Sequence, residues 1–269
     1  MAANTYSSRV LIGNWSEDLE LEKLRLREFL DKKEAGTLRL TQSLAALTPA
    51  GVSASTQGAV AWGAYLALYA EHSGALASLD VNGALALAKA HNEGDAAVAA
   101  VEVACGTVAH EGPRARSVFQ IVPAHKYVAS DRVVCYGDKI RLVSHEAYAP
   151  QPVALASRLK NPTTFSLPSH LQEVYATAAQ PFPHASVWTI EHFDPLLRDE
   201  AEGHPVPANG RVIIRHCATN ACLASTGKST APGAPTEVCV HTFFNTHKAE
   251  EPQNHWALVM DDEPPQPNP

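Results

Sequence analysis

Trp62-Gly63-Ala64-Tyr65-Leu66-Ala67-Leu68, Tyr136-Gly137-Asp138-Lys139-Ile140-Arg141-Leu142 and Asn209-Gly210-Arg211-Val212-Ile213-Ile214-Arg215 are three versions of one segment, their glycines 74 and then 73 residues apart. Each is followed by Leu-Ala-Ser, at Leu76–Ser78, Leu155–Ser157 and Leu223–Ser225. Each then reaches Glu-Val, at Glu102-Val103, Glu173-Val174 and Glu237-Val238. Each closes on an aromatic segment: Ser117-Val118-Phe119-Gln120-Ile121, Ser186-Val187-Trp188-Thr189-Ile190 and Asn254-His255-Trp256-Ala257-Leu258. One match among such common residues would carry nothing. Four landmarks in the same order, three times, constrain the whole topology.

Each copy holds four short apolar segments separated by turn residues. Tyr65, Ala67 and Tyr69 alternate with Leu66 and Leu68, the period of a half-buried strand. Four strands taken three times predict an all-β fold, the β-trefoil, whose barrel closes on itself and leaves no sheet edge. Phe119, Trp188 and Trp256 are the expected shared core. A solenoid would need repeats of roughly 20–50 residues, and a sandwich would not give threefold register.

The chain has 269 residues, more than a trefoil needs, so arms and insertions should hang off it. Residues 1–40 read as an N-terminal arm and helix, 41–260 as the trefoil with repeats starting near 60, 134 and 206, and 261–269 as an extended tail with four prolines. Ser16 suits an N-cap ahead of a helix running to about Lys33, with Leu19, Leu26 and Leu30 on one stripe and Leu21, Leu24 and Phe29 beside it. Trp15, just before that cap, also suits a hydrophobic staple. Residues 37–58 read as an irregular linker. The Ala-rich stretch 84–106 reads as an insertion in the first repeat, favouring helix but broken by Gly83 and Gly94.

Composition excludes several classes. Net charge is −7 with no basic run of five, which argues against a cationic nucleic-acid-binding face. No stretch approaches the roughly 20 apolar residues of a membrane helix, and no apolar leader follows Met1. Five cysteines, an odd number, point to thiols in a reducing compartment. Gly227-Lys228-Ser229 lacks the leading glycine of a phosphate loop, and no Gly-x-Ser-x-Gly elbow occurs. His216, Cys217, Cys222, Cys239 and His241 are the best metal candidates, but adjacent His216 and Cys217 on a strand point to opposite faces. No catalytic residue, cofactor site or metal site is expected. Sugar-binding trefoils repeat Gln-x-Trp; all three copies here lack the glutamine, which leaves a carbohydrate- or ligand-binding module as the alternative reading.

Two stretches are more specific. One is Val10-Leu11-Ile12-Gly13-Asn14-Trp15-Ser16-Glu17-Asp18-Leu19-Glu20, followed by Phe29-Leu30 and Gly36-Thr37-Leu38. The other begins at Gly203 and includes His204-Pro205-Val206-Pro207-Ala208-Asn209-Gly210, Ile214-Arg215-His216-Cys217-Ala218-Thr219-Asn220, Thr246-His247-Lys248 and Asn254-His255-Trp256-Ala257-Leu258-Val259. With Tyr136-Gly137-Asp138-Lys139 and Leu171-Gln172-Glu173-Val174-Tyr175 between them, these resemble the cilia- and flagella-associated protein 161 family. The resemblance implies a MIR-like β-trefoil and a structural microtubule inner protein with no known reaction. It would lie in the lumen of the A-tubule of axonemal doublet microtubules, a cytoskeletal setting. Its partners would be the α/β-tubulin lattice and other inner proteins, without nucleic acid or membrane, as a monomer repeated by its lattice. The residues picked for those contacts are Arg9, Asn14 and Trp15 in the arm and His204, Asn220, His247 and Lys248 on third-repeat loops, since buried Trp and Arg dominate interface energetics.

Overall fold

A computed structural model describes residues 11–34, 38–109, 112–125, 133–232 and 234–260. The chain divides into two compact units, Met1–Gln42 and Ser43–Pro269.

The second unit holds twelve strands in three sets of four. The first set is β1 (Tyr65–Ala70), β2 (Ala75–Leu79), β3 (Glu102–Ala109) and β4 (Val118–Pro123). The second is β5 (Lys139–Ser144), β6 (Ala154–Ser157), β7 (Gln172–Thr177) and β8 (Trp188–His192). The third is β9 (Arg211–His216), β10 (Ala221–Ser229), β11 (Thr236–Val240) and β12 (His255–Val259). The first and last strands of each set pair in a closed ring, β1–β4–β5–β8–β9–β12 and back to β1, all antiparallel. The middle strands form three hairpins, β2–β3, β6–β7 and β10–β11, and the hairpins pair with one another through β3–β7, β7–β11 and β11–β3. A six-stranded barrel capped by a hairpin triplet is the β-trefoil.

Phe119, Trp188 and Trp256 are buried in one core cluster with Leu66, Ile140, Leu155 and Leu223. The Trp188 indole donates to the Leu155 carbonyl at 2.8 Å, and Trp256 donates to that of Leu223 at 3.0 Å. Burying each ring thus leaves its N–H paired.

At the other end of the barrel the three repeats meet on the axis. Val60 N–H donates to the Val206 carbonyl (3.0 Å), Val206 N–H to Val134 (2.8 Å) and Val134 N–H to Val60 (2.8 Å). All three valines are fully buried, so this closed ring of amide bonds satisfies polar groups that water cannot reach. Each valine is three residues ahead of a left-handed residue: Gly63 (φ 80°), Gly137 (φ 90°) and Asn209 (φ 60°). Those three donate alike to Ile121 (2.8 Å), Ile190 (2.9 Å) and Leu258 (3.0 Å). The third counterpart is therefore Asn209 and not Gly210, because asparagine also tolerates the left-handed turn; Gly210 is needed for another reason, since a Cβ there would lie 2.6 Å from Pro207 Cγ.

Two other landmarks of the first repeat shift in space. Ser157 pairs with Val174 and Ser225 with Val238, but Ser78 pairs with Gly106, so Glu102-Val103 is not the counterpart of the later Glu-Val pairs. Leu155 and Leu223 face the main core, whereas Leu76 packs outside it with Ala67 and Val259. A one-residue displacement inverts a strand's faces.

The helices depart from the expectations. The linker 37–58 contains α2 (Arg39–Leu47), because Leu40, Leu44, Ala45, Ala46 and Leu47 are good helix formers and the chain stops only near Pro49. The carbonyls of Ala46, Leu47 and Thr48 accept from Arg116 N–H (3.1 Å), the Arg114 guanidinium (2.9 Å) and Ala115 N–H (2.9 Å). The Ala-rich insertion forms α3 (Val81–Glu93) and α4 (Asp95–Ala99). Gly94 (φ 110°) separates them as expected, but Gly83 does not break α3. A Cβ on Gly83 would lie 2.3 Å from Val103 Cγ1, so glycine there permits close helix-to-strand approach.

In the first unit, α1 (Leu11–Glu34) begins five residues before the expected cap at Ser16. No proline interrupts Leu11–Trp15, and Gly13 alone costs only about 1 kcal/mol. Asn14 and Trp15 are therefore helical residues and not part of an extended arm, and Ser16 lies inside the helix and is not its N-cap. Every described side chain from Glu17 to Glu34 is exposed. The tail 261–269 lies outside the described residues.

Candidate partner-binding surfaces

Arg9 lies outside the described residues, as do the side chains of Asn14 and Trp15. The four third-repeat picks are exposed and held on ordered turns. His204 sits in the turn before Pro205; its N–H donates to Ala201 (2.9 Å) and its carbonyl accepts from Tyr136 N–H (3.0 Å). Asn220 ends the turn between β9 and β10 in the left-handed region (φ 54°), with its N–H on the His216 carbonyl at 2.8 Å. His247 and Lys248 ride a loop organised by Asn245, whose carboxamide oxygen accepts from His247 N–H (2.9 Å) and Ala249 N–H (3.1 Å). Lys248 is also left-handed, at φ 60°. Their side chains make none of the turn bonds and stay available at the surface.

Beneath these turns runs an ion network with no signature in the sequence. Glu250 is almost fully buried, its side chain 1% exposed, and accepts from Arg198 at 2.7 Å and Arg215 at 3.2 Å. Arg215 also grips Glu191 with two bonds, 2.6 and 2.8 Å, a bidentate pair. Arg198 stands 3.5 Å from Glu191 and sits on α5 (Arg198–Ala201). Burial pushes the Glu250 carboxyl up, but Arg198 and Arg215 outweigh it and hold the group below its ordinary value. The bond to Glu191 raises Arg215 further. The network ties the 241–251 loop to β8, α5 and β9.

Above it opens a polar pocket of about 520 Å³, lined by Tyr136, Lys139, Glu191, Arg198, Glu202 and Asn220 among others. It brings Asn220 together with the Tyr136 turn that holds His204; His247 and Lys248 are not among its lining residues. Its arginines are already neutralised by glutamates, and Lys139 is bonded to Thr189 Oγ1 at 2.7 Å. A second cleft of ≈ 370 Å³ lies where the three hairpins meet, walled by Leu79, Val108, Phe165, Leu167, Pro168 and Val238.

The metal candidates do not converge. His216 is buried against Trp188, between Thr219 Oγ1 and the Ala185 carbonyl at 2.8 Å each. Burial lowers its pKa. Cys217 contacts Thr189 Oγ1 at 3.2 Å, Cys222 and Cys239 are buried, and exposed His241 packs on Phe243. Among the described residues no group of three or more His, Cys, Asp or Glu could hold a metal ion, and no helix is long and apolar enough to cross a membrane.

These features define a β-trefoil with a helical N-terminal extension and turn-mounted polar side chains. The fold is shared with solved structures of low identity. An SDF2-like protein from Arabidopsis thaliana aligns with a TM-score of 0.53 at 16% identity, over 76% of this chain and 99% of that one. A Caenorhabditis elegans protein of unknown function gives 0.53 at 17%, over 77% and 98%. The pattern of the cilia- and flagella-associated protein 161-like domain matches residues 51–261. Cilia- and flagella-associated protein 161 of Bos taurus is 35% identical, over 96% of this chain and 83% of its own length. That of Danio rerio is 31% identical, over 94% and 87%. The chain belongs to the cilia- and flagella-associated protein 161 family.

Proposed function

We propose that the chain is a structural microtubule inner protein of motile cilia and flagella, bound in the lumen of the A-tubule of doublet microtubules. There it contacts the α/β-tubulin lattice and neighbouring inner proteins and stabilises the axoneme, as a monomer repeated by its lattice. The observation that carries this reading is a family relationship extending over 94–96% of the chain to proteins named for association with cilia and flagella. The trefoil supplies a rigid body. Arg9, Asn14, Trp15, His204, Asn220, His247 and Lys248 are the proposed contacts; the last four are exposed on turns whose backbones are fixed by hydrogen bonds, so docking them costs little ordering entropy.

Salt extraction of demembranated axonemes followed by cryo-electron microscopy of the doublets tests the reading. Trefoil-shaped lumenal density that disappears in a null strain is the expected result. Release with the soluble matrix, leaving lumenal density unchanged, would refute it.

The alternative, a ligand-binding trefoil, draws on the polar pocket beside Tyr136, whose ≈ 520 Å³ volume falls within the range of small-molecule sites. Its paired arginines offer a ligand few free donors, which favours the lattice reading. Binding of glycans to the isolated protein, lost on substituting Lys139 and Glu202, would reverse that preference.

A further inference from the structure

We propose that the cleft where the three hairpins meet receives an arginine side chain of a neighbouring axonemal protein, paired there with Glu237; this rests on the lattice reading above. The three repeats face the cleft with equivalent positions. Gly106, Val174 and Val238 pair with the serines of the three Leu-Ala-Ser segments, so the residues just before them, Cys105, Glu173 and Glu237, correspond. All three line the cleft. Opposite them stand the residues just after those serines, Leu79, Arg158 and Thr226. In the first repeat the pair is neutral, because burial pushes the Cys105 thiol up to about 12. In the second, Arg158 supplies a cation 3.7 Å from Glu173. In the third, Thr226 supplies only a hydroxyl, at 2.6 Å from Glu237.

Glu237 is 5% exposed. Its carboxylate accepts from the hydroxyls of Ser166, Ser169 (2.5 Å) and Thr226, all neutral donors. Among the described residues no lysine, arginine or histidine pairs with it. A carboxylate taken out of water needs a counter-charge to offset its desolvation, and the position that holds Arg158 in the second repeat leaves that charge out in the third. Asp80 and Arg116 also line the cleft, one charge of each sign, so the balance of its lining stays negative.

Arg158 shows what fits such a place. Its guanidinium pairs with Glu102 and Glu173 and covers the Tyr175 ring at 4.4 Å from the centroid. The cleft offers the same combination, a carboxylate with Phe165 among the walls, and Leu79, Val108 and Val238 to pack a methylene stem. Leu167, also lining the cleft and 72% exposed, offers an apolar contact to the chain that carries the arginine.

The full-length protein is titrated with Nα-acetylarginine amide and, as the uncharged match, Nα-acetylcitrulline amide, at equal ionic strength. The arginine probe is expected to raise Tm by ~3–5 °C at about ten times its dissociation constant, and the citrulline probe to leave it unchanged. Thr226→Arg, which rebuilds the second repeat's ion pair in the third, should abolish the response; if that variant does not fold, Glu237→Gln takes its place. Equal responses to the two probes, or a response that survives the variant, overturns the site. The same variant is then expressed in a null strain, and its retention in salt-extracted axonemes should fall at least fivefold below wild type. Equal retention overturns the axonemal arginine and leaves the lattice reading standing. Release of the wild type overturns both.

Discussion

Replacing Trp188 by Phe separates two roles that the trefoil's aromatic positions combine. The ring fills the core, and its N–H serves the Leu155 carbonyl at 2.8 Å. Phenylalanine keeps most of the ring, so the void costs about 1 kcal/mol. The carbonyl loses its side-chain donor while still buried, which costs a further 1–3 kcal/mol or so. The sum, about 2–4 kcal/mol, lowers Tm by roughly 5–15 °C for a domain of this size. Trp256→Phe removes the same group from the third repeat, but the Leu223 carbonyl also accepts from the Asn254 carboxamide at 3.1 Å. The position matching Asn254 in the second repeat is Ser186, whose hydroxyl is committed to the Pro183 carbonyl at 2.7 Å. Trp256→Phe should therefore cost about 1–2 kcal/mol less than Trp188→Phe, because one donor remains. Urea unfolding followed by far-ultraviolet circular dichroism measures both variants without relying on tryptophan fluorescence. Equal losses, or a larger loss at Trp256, would refute the hydrogen-bond account and leave ring volume as the whole effect.

Glu250→Ala leaves Arg198 and Arg215 to share the one carboxylate of Glu191 and should cost about 2–3 kcal/mol, below the value for a fully buried broken pair because that partner remains and both arginines keep some water; the urea midpoint reports it. Gly83→Ala gains helix propensity but forces a Cβ to within 2.3 Å of Val103, so Tm should fall by several degrees where an open helical site would rise. Burial lowers the pKa of both His216 and His255. The unfolded chain then binds more protons than the folded one below the ordinary histidine value of 6.5, and stability drops as pH falls through the window from 6.5 down to the folded values. His216→Gln should flatten that part of the profile, and an unchanged slope in urea unfolding between pH 7 and 5 would count against it.

The closing aromatics were legible because their spacing survives as spatial equivalence: Phe119, Trp188 and Trp256 do share the core. The repeat's glycine landmark was legible to within one residue. A left-handed turn is written as Gly at 63 and 137 but as Asn at 209, and residue identity alone aligned the wrong glycine. Glu102-Val103 misled because a two-residue match carries no register. The helix start at Leu11 was missed because a good capping residue, Ser16, need not cap when the residues before it are also helix-competent. Of the surface picks, exposure of His204, Asn220, His247 and Lys248 followed from their turn positions. The Arg198–Arg215–Glu191–Glu250 network was illegible, since its members come from four separate segments and only the fold makes them neighbours.

The valine ring on the barrel axis has a consequence for how the chain is made. Its bonds run from Val60 to Val206, from Val206 to Val134 and from Val134 to Val60, so no two repeats can complete it. A ribosome that has released the first two repeats has produced a barrel with a third of its wall missing and both neighbouring strand edges open. Contacts between residues so distant in sequence form slowly, and unpaired edges invite association with other nascent chains. Biogenesis of this protein should accordingly depend on chaperone occupancy until the third repeat emerges, and a truncation before Val206 should yield aggregate and not a smaller folded domain.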